Sequence, residues 1–339
     1  MDWSKVGAQD RPPKLSNVDM LAGNLKARDA VHLHMNDLMS ISDFLLFEFS
    51  KFQELRILHF LIYLVLYLVA VTGNLLIISV VAFDHRLHTP MYFFLMNLAL
   101  QDLGQVSVII PKSMINSLLN TRHISYAGCV LQVLLFATFA GSDFLLLTVM
   151  EYDRYVAICL PLQYETIMNR RACVQMVAGV WITGLLYGAL HTGGTLAATF
   201  CSDIVNQFFC EVPQLLKLYC SKQYQTEMAA VVISILIVLV CFIFVIATYV
   251  QIFTAVLKIS SVEGRKKTFS TCVPHLIVFS TLVFTYAIVY LRTSSDTNSY
   301  MDVVFTITYS TIPPMLNPVI YSMRNRDIRI ALSKLFGVW

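Results

Sequence analysis

Seven stretches of this chain are long and apolar enough to cross a lipid bilayer, at about 57–83, 91–118, 124–156, 172–192, 226–257, 268–291 and 302–323. A helix needs about 20 mostly apolar residues to span a hydrocarbon core ~30 Å thick. Inside that core every backbone N–H and C=O must find its partner within the protein, which commits such runs to helix. The first run holds no acid, lysine or arginine, and the fifth holds none after Glu227. Charged residues are 13% of the 339, against about 25% in soluble domains, so most of the surface is not meant for water. A net charge of +3 with no massed basic segment argues against nucleic acid as a partner. The expected fold is an all-α membrane protein, one seven-helix bundle over 57–323 without internal repeats. A tail over 1–56 precedes it, and residues 324–339 follow as an amphipathic helix and short tail.

An odd number of spans puts the termini on opposite sides, and lysine and arginine in short loops choose the sides. One set of ends carries Arg86, Arg154, Arg170, Arg171, Lys258, the Arg265-Lys266-Lys267 loop, Arg324, Arg326, Arg329 and Lys334, while the other offers Arg122, Lys217, Lys222 and Arg292. The richer set is the cytoplasmic one, so the amino terminus is expected outside. Cys129, Cys201, Cys210 and Cys220 then fall in the oxidising compartment, where disulfides persist. Four cysteines allow three pairings, which spacing alone does not decide. Cys159, Cys173, Cys241 and Cys272 read as packed thiols toward the other face. Residues 1–34 are polar, carry Pro12-Pro13, and read as disordered or as an extension, with Met35 the expected working start.

The third run closes on Met150-Glu151-Tyr152-Asp153-Arg154-Tyr155-Val156-Ala157-Ile158-Cys159, followed by Pro161-Leu162. A charge at mid-bilayer costs about 2.5–3.5 kcal/mol, so Asp153 and Arg154 belong at the membrane boundary, where the acid can hold the base and release it. The decapeptide resembles the helix-three end of olfactory receptors, M-A-Y-D-R-Y-V-A-I-C, within the rhodopsin-like seven-helix class; Glu151 stands where that pattern has alanine. Three further stretches carry the same resemblance in the same order: Leu87-His88-Thr89-Pro90-Met91-Tyr92-Phe93-Phe94-Leu95, Phe269-Ser270-Thr271-Cys272 with His275, and Pro314-Met315-Leu316-Asn317-Pro318-Val319-Ile320-Tyr321. It covers about residues 40–337. No Asn-x-Ser/Thr sequon occurs anywhere in the chain, where the family usually has one in the tail.

The resemblance implies a Cys129–Cys210 disulfide, through the family's Phe-Phe-Cys motif at 208–210, and leaves Cys201 for Cys220. It implies plasma-membrane localisation, in the cilia of olfactory neurons, and a stimulatory olfactory G protein that raises cyclic AMP. Coupling and activation fall to Asp153, Arg154, Tyr155, Tyr249, Asn317, Pro318 and Tyr321. Pro318 removes a backbone donor and hinges helix seven; Asn317 can bond the freed carbonyls or a polar neighbour. Tyr249 and Tyr321 read either as receivers of Arg154 or as interface-belt tyrosines. Asp102 and Asp143 are acids within spans, which are functional hypotheses by default. The resemblance implies a sodium ion there, while the residues alone equally allow a watered polar hole or one protonated acid. No other cofactor is expected.

Helical spacing places Phe136, Ala137, Ala140 and Gly141 on the inward outer third of helix three. Helix five offers Ile233, Ser234 and Ile237, helix six Val283, Tyr286, Ala287 and Tyr290, and helix seven Ile307 and Ser310. None is charged, so the expected ligand is a small, neutral, mostly apolar odorant, whose one oxygen Tyr286, Tyr290, Ser234 or Ser310 can hydrogen-bond. The aromatic stretch usual in helix six is Leu282-Val283-Phe284 here. A retinal protein would need a lysine in 303–323, and none is present. An amine receptor would need an acid near Phe136, and a transporter broken helices or inverted repeats. His191 and His275 are single histidines in spans, and no nucleophile–base or metal-ligand set points to an enzyme. The alternatives are a folded chain that no longer signals, suggested by Glu151, Asp143, Val283 and the absent sequon, or a related receptor for a non-odorant small molecule.

Overall fold

The computed structural model describes residues 43–46, 52–205, 207–220, 224–258, 261–292, 300–324, 326–335 and 337, with backbone alone at several helix ends. The expected tail over 1–34 and Met35 lie outside the described residues. Seven long helices form the bundle: α1 Gln53–Phe83, α2 Pro90–Leu119, α3 Tyr126–Cys159, α4 Arg170–Ala197, α5 Tyr224–Leu257, α6 Val262–Arg292 and α7 Tyr300–Arg324, followed by the short α8 Arg326–Leu335. Each overruns its apolar stretch by a few residues, because caps and polar turns continue the helix past the hydrocarbon. Arg265, Lys266 and Lys267, expected in a loop, sit in the first turns of α6. Side-chain caps fix three of the starts, α6 among them through Ser261 Oγ and the Gly264 N–H at 3.2 Å. Ser125 Oγ accepts from the Gly128 N–H at 3.1 Å and Asn169 Oδ1 from the Ala172 N–H at 3.0 Å, each satisfying an orphan donor of the first turn. Asn120, in the left-handed region at φ 53°, ends α2.

The outward faces are apolar. Leu58, Leu61, Val65 and Leu68 of α1 and Leu236, Val240 and Ile243 of α5 are about half exposed or more. This is a hydrocarbon-facing surface, and the chain is a multi-pass membrane protein. The inward faces form a core from Ile77 and Leu98 through Leu146 and Met150 to Ile252 and Phe279. Two helices approach closely through glycine. A Cβ on Gly184 of α4 would lie 1.9 Å from Ser142 Oγ and 2.8 Å from the Thr138 carbonyl; one on Gly188 would lie 2.6 Å from the Leu134 carbonyl. Small residues four apart let membrane helices meet backbone to backbone.

α7 carries Pro313, Pro314 and Pro318. A proline in a helix leaves the carbonyl four residues earlier without its donor. Pro318 thus frees the Pro314 carbonyl, and Asn74 Nδ2 of α1 donates to it at 2.9 Å. Pro314 frees the Ser310 carbonyl, and Gln105 Nε2 of α2 donates there, also at 2.9 Å. With those carbonyls supplied from α1 and α2, Asn317 takes the other expected partner, a polar neighbour, and donates to Asp102. Gly73 sits where a Cβ would come within 3.0 Å of Pro318, so α1 can close on the kink. Asn74→Val should leave the Pro314 carbonyl buried and unpaired, costing about 1–3 kcal/mol. The thermal midpoint of purified receptor should fall accordingly, while Leu75→Val on the exposed face of the same helix should leave it unchanged.

One end of the bundle is closed by a small cap. Strand β1, Asp43–Leu45, pairs antiparallel with β2, His123–Ser125, and Leu45 bridges to Ile204. Disulfides join Cys129 to Cys210 and Cys201 to Cys220, with Cα separations of 5.4 and 5.3 Å. Phe208, Phe209, Leu215 and Leu216 of the capping loop are buried. At the opposite end α8 lays Ile328 and Ala331 into the bundle and exposes Arg326, Arg329 and Lys334, the division expected of an amphipathic helix at a membrane surface.

Candidate functional site

Three groups of side chains converge inside the bundle. The first surrounds a cavity of about 260 Å3 between α3, α4, α5 and α6. Ala140 and Gly141, Ile233, Ser234 and Ile237, and Val283 and Tyr286 line it, as their helical spacing suggested. α4 adds Thr183, Leu186, Tyr187 and Leu190, which spacing did not place there. The glycine seam explains their presence, since close approach to α3 turns the neighbouring face of α4 toward α5. Gly141 makes room for Tyr187, whose ring a Cβ there would meet at 2.9 Å. Polar groups on the wall are few. Ser234 Oγ donates to the Ala230 carbonyl at 2.7 Å and keeps its lone pairs, and Tyr187, Tyr286 and Thr183 supply hydroxyls.

Phe136 and Ala137 stand nearer the disulfide end, where with Glu211, Tyr286 and Tyr309 they enclose only about 10 Å3, room for one water at most. Ala287 faces away from the cavity and is exposed. Ile307 packs in the aromatic cluster of Tyr63, Phe208 and Tyr309. Ser310 donates its hydroxyl to the Thr306 carbonyl at 2.6 Å and lies at the proline repair. α7 leans on α1 and α2, which takes these two residues off the cavity wall. The Tyr290 side chain lies outside the described residues. Glu211 was not anticipated: it is buried, accepts from Thr306 Oγ1 at 3.1 Å and also from the Tyr309 phenol. An acid directly after a disulfide cysteine in an apolar loop was the available signal.

The second group is polar. Asp102 is fully buried and accepts from Asn317 Nδ2 at 3.0 and 3.3 Å. Asp143 is also buried, close enough for the two carboxylates to interact. Asp143 Oδ1 and Asn317 Oδ1 are buried and have no hydrogen-bond partner. Two acids and an amide oxygen, with orphaned lone pairs, are hard donors that fit a small alkali cation. Among the described residues no cluster of three acidic, histidine or cysteine side chains suggests a transition metal.

The third group lies at the end opposite the disulfides. Asp153 is buried and accepts from Tyr164 Oη at 2.8 Å. Burial and the adjacent Asp153 charge push the Tyr164 phenol well above its ordinary range, so it remains a donor. Arg154 points its Nη2 toward Met91 Sδ at 2.8 Å. The acid is thus held by the loop after α3, and its neighbouring base is turned to α2. Tyr155 is half-buried against the core. Tyr249 of α5 donates to Glu151 Oε1 and lies equally near the Cys272 carbonyl of α6, both at 2.9 Å. His275 Nδ1 of α6 is 4.0 Å from the same Glu151 oxygen. Glu151, which departs from the resembled pattern, therefore ties α3 to α5 beside α6. The Tyr321 side chain lies outside the described residues. Of Leu282-Val283-Phe284 the one aromatic, Phe284, is exposed; about one turn earlier Phe279 stacks on Phe144 at 5.2 Å with Phe242 beyond it.

A profile of the family described as olfactory receptor matches residues 63–337. The chain belongs to the olfactory receptor family. Human olfactory receptor 14J1 is 48% identical over 304 residues, 89% of this chain and 95% of that protein. Human olfactory receptors 14A16 and 14I1 are each 45% identical over 302 and 303 residues, 89% of this chain and 97% of theirs. The matched span takes in the cavity, the α3 terminus and all seven helices apart from the first turns of α1. This olfactory receptor is a membrane signalling receptor and not an enzyme.

Proposed function

We propose that this receptor binds a small, neutral, mostly apolar odorant in the α3–α6 cavity and activates a stimulatory olfactory G protein at its opposite end, raising cyclic AMP. The cavity carries the reading: its wall is hydrocarbon with a few hydroxyls, so it rewards apolar surface and one oxygen and offers no charge to pair an ionised ligand. The disulfide end faces outside, where its cystines persist, and the arginine-bearing end faces the cytoplasm of an olfactory neuron's cilium. Residues 57–323 act as the receptor unit, with 1–56 outside and 324–339 on the inner surface. Asp102 and Asp143 would hold a sodium ion, with Asn317 adding an amide oxygen; the cation would offset one of the two carboxylate charges.

Activation requires a ligand that binds the open bundle better than the closed one. In the closed bundle Glu151 holds Tyr249, and moving α6 outward releases Tyr249 for Arg154. A hydrogen bond to a charged group contributes about 1.5–3 kcal/mol, enough to shift such an equilibrium about tenfold or more. This allows a test that needs no known ligand. Glu151→Ala should raise basal cyclic AMP several-fold at equal surface label, and adding Arg154→Ala should abolish the rise. Equal basal output from all three chains would overturn the coupling.

A further inference from the structure

The cavity described above is not enclosed by protein. Leu186 and Leu190 of α4 and Ile233 and Ile237 of α5 line it, yet they are 65%, 47%, 52% and 47% exposed. They lie on the faces these helices turn to the hydrocarbon, beside Ile182 and Leu236. One continuous apolar wall therefore runs from the lipid surface between α4 and α5 inward to Ala140 and Tyr286. We propose that this cleft is a lateral portal through which odorant dissolved in the bilayer enters the receptor. The proposal rests on the cavity being the odorant site.

Two observations favour this route over one through the cap. First, among the described residues the space toward the disulfide end is filled. Phe209 lies against Phe136 at 5.1 Å, Glu211 bonds Thr306 and Tyr309, and Cys129–Cys210 holds that loop to α3. The Cys210 N–H also donates to Gln132 Oε1 at 2.9 Å. Second, α4 and α5 are tied above the cleft by His191 and Glu227, both buried and in direct hydrogen-bond contact. In that tie His191 directly follows Leu190 and Glu227 lies about two turns before Ser234, so the helices are pinned at one end and parted below it. Tyr187 stacks edge-on against His191 at 4.6 Å and forms part of the cavity wall, so the tie also positions a gating side chain. The chemistry of the ligand completes the case. Each methylene favours an apolar medium by a factor of about four, so a six-carbon chain is enriched in the bilayer by on the order of a thousandfold. An apolar odorant is therefore already concentrated at the cleft.

The test reads occupancy instead of signalling, so a receptor that failed to raise cyclic AMP would leave it intact. The full chain is placed in phosphatidylcholine nanodiscs with a hexyl diazirine alcohol, irradiated after increasing delays, and mapped by peptide mass spectrometry. The expected result is labelling of the Ala140–Phe144 and Tyr286 segments, slowed at least five-fold by Leu186→Trp and by Ile233→Trp. Phe209→Ala, which loosens the cap, should leave the rate unchanged. Both tryptophans face lipid, and each chain's thermal midpoint is compared with the parent to confirm folding. Inner labelling as fast in both tryptophan variants as in the parent, no inner labelling at all, or acceleration by Phe209→Ala would overturn the portal. So would equally strong inner labelling from a phospholipid with a diazirine acyl chain, which would make the cleft a lipid-tail site.

Discussion

Replacing Gly188 with valine is expected to remove the folded receptor from the cell surface. At this position even a methyl group would come 2.3 Å from Thr138 Oγ1 and 2.6 Å from the Leu134 carbonyl. The hydroxyl can rotate away; the carbonyl belongs to α3's backbone and cannot move without shifting the helix. Overpacking of this kind costs about 1–3 kcal/mol per site and more when backbone must yield, against a total stability of only about 5–15 kcal/mol. Gly184→Val meets the Thr138 carbonyl in the same way and should act alike, and the pair together should leave no ligand-binding bundle. The same helix supplies its own controls. A Cβ on Gly179 or Gly193 meets nothing within 4 Å, so Gly179→Ala and Gly193→Ala should preserve surface label and thermal midpoint. Surface labelling with antibody to an added tag, beside total expression, separates the two groups. Equal surface label for Gly188→Val and Gly179→Ala would refute the close seam between α3 and α4.

Cys129→Ser should be the second most damaging change, and more so than Cys201→Ser. The two bridges close loops of 81 and 19 residues. Chain-entropy reasoning gives about 4.5 and about 3 kcal/mol for such loops, before any native strain. The longer bridge also anchors the capping loop over the cavity, where Cys129 and Cys210 are both fully buried. Its loss frees Phe209 from Phe136 and exposes Glu211. Cys129→Ser should therefore show little mature receptor at the surface at 37 °C. Cys201→Ser, which unties only the outer turn of the loop, should retain a reduced but measurable fraction. The reverse order would show that the short bridge, and not the anchor to α3, holds the cap.

Much of this architecture was legible in the sequence because a bilayer admits few solutions. Seven apolar runs had to become seven helices, and their ends follow from caps such as Ser125 and Asn169 as much as from hydropathy. The inward faces of α3, α5 and α6 followed from a period of 3.6, which is why Ala140, Ser234 and Tyr286 meet across one cavity. α7 was less readable. Its prolines free carbonyls that α1 and α2 supply with donors, and Ile307 and Ser310, inward by spacing, do not line the cavity. The partners of those prolines, Asn74 and Gln105, lie more than 200 residues away in the chain, so no local pattern could name them. The contribution of α4 depended on the glycine seam, whose partner helix is invisible in a single run. Glu151 read as a departure from a pattern; its meaning lies in Tyr249, 98 residues on. Glu211 was passed over because a loop acid is ordinarily solvated, and only the cap buries it.

On the proposed function, an apolar ligand in the α3–α6 cavity drives signalling. The most direct measurement is a cyclic AMP dose–response to a panel of small volatile alcohols, aldehydes, ketones and esters, in cells expressing the parent chain or Ala140→Phe. Ala140 lines the cavity, and a phenyl group there would take up a large part of its 260 Å3. A saturable rise is expected in the parent, lost or shifted at least tenfold to higher concentration in Ala140→Phe at equal surface label. An undiminished response from Ala140→Phe would contradict it, and would place the activating site elsewhere in the bundle.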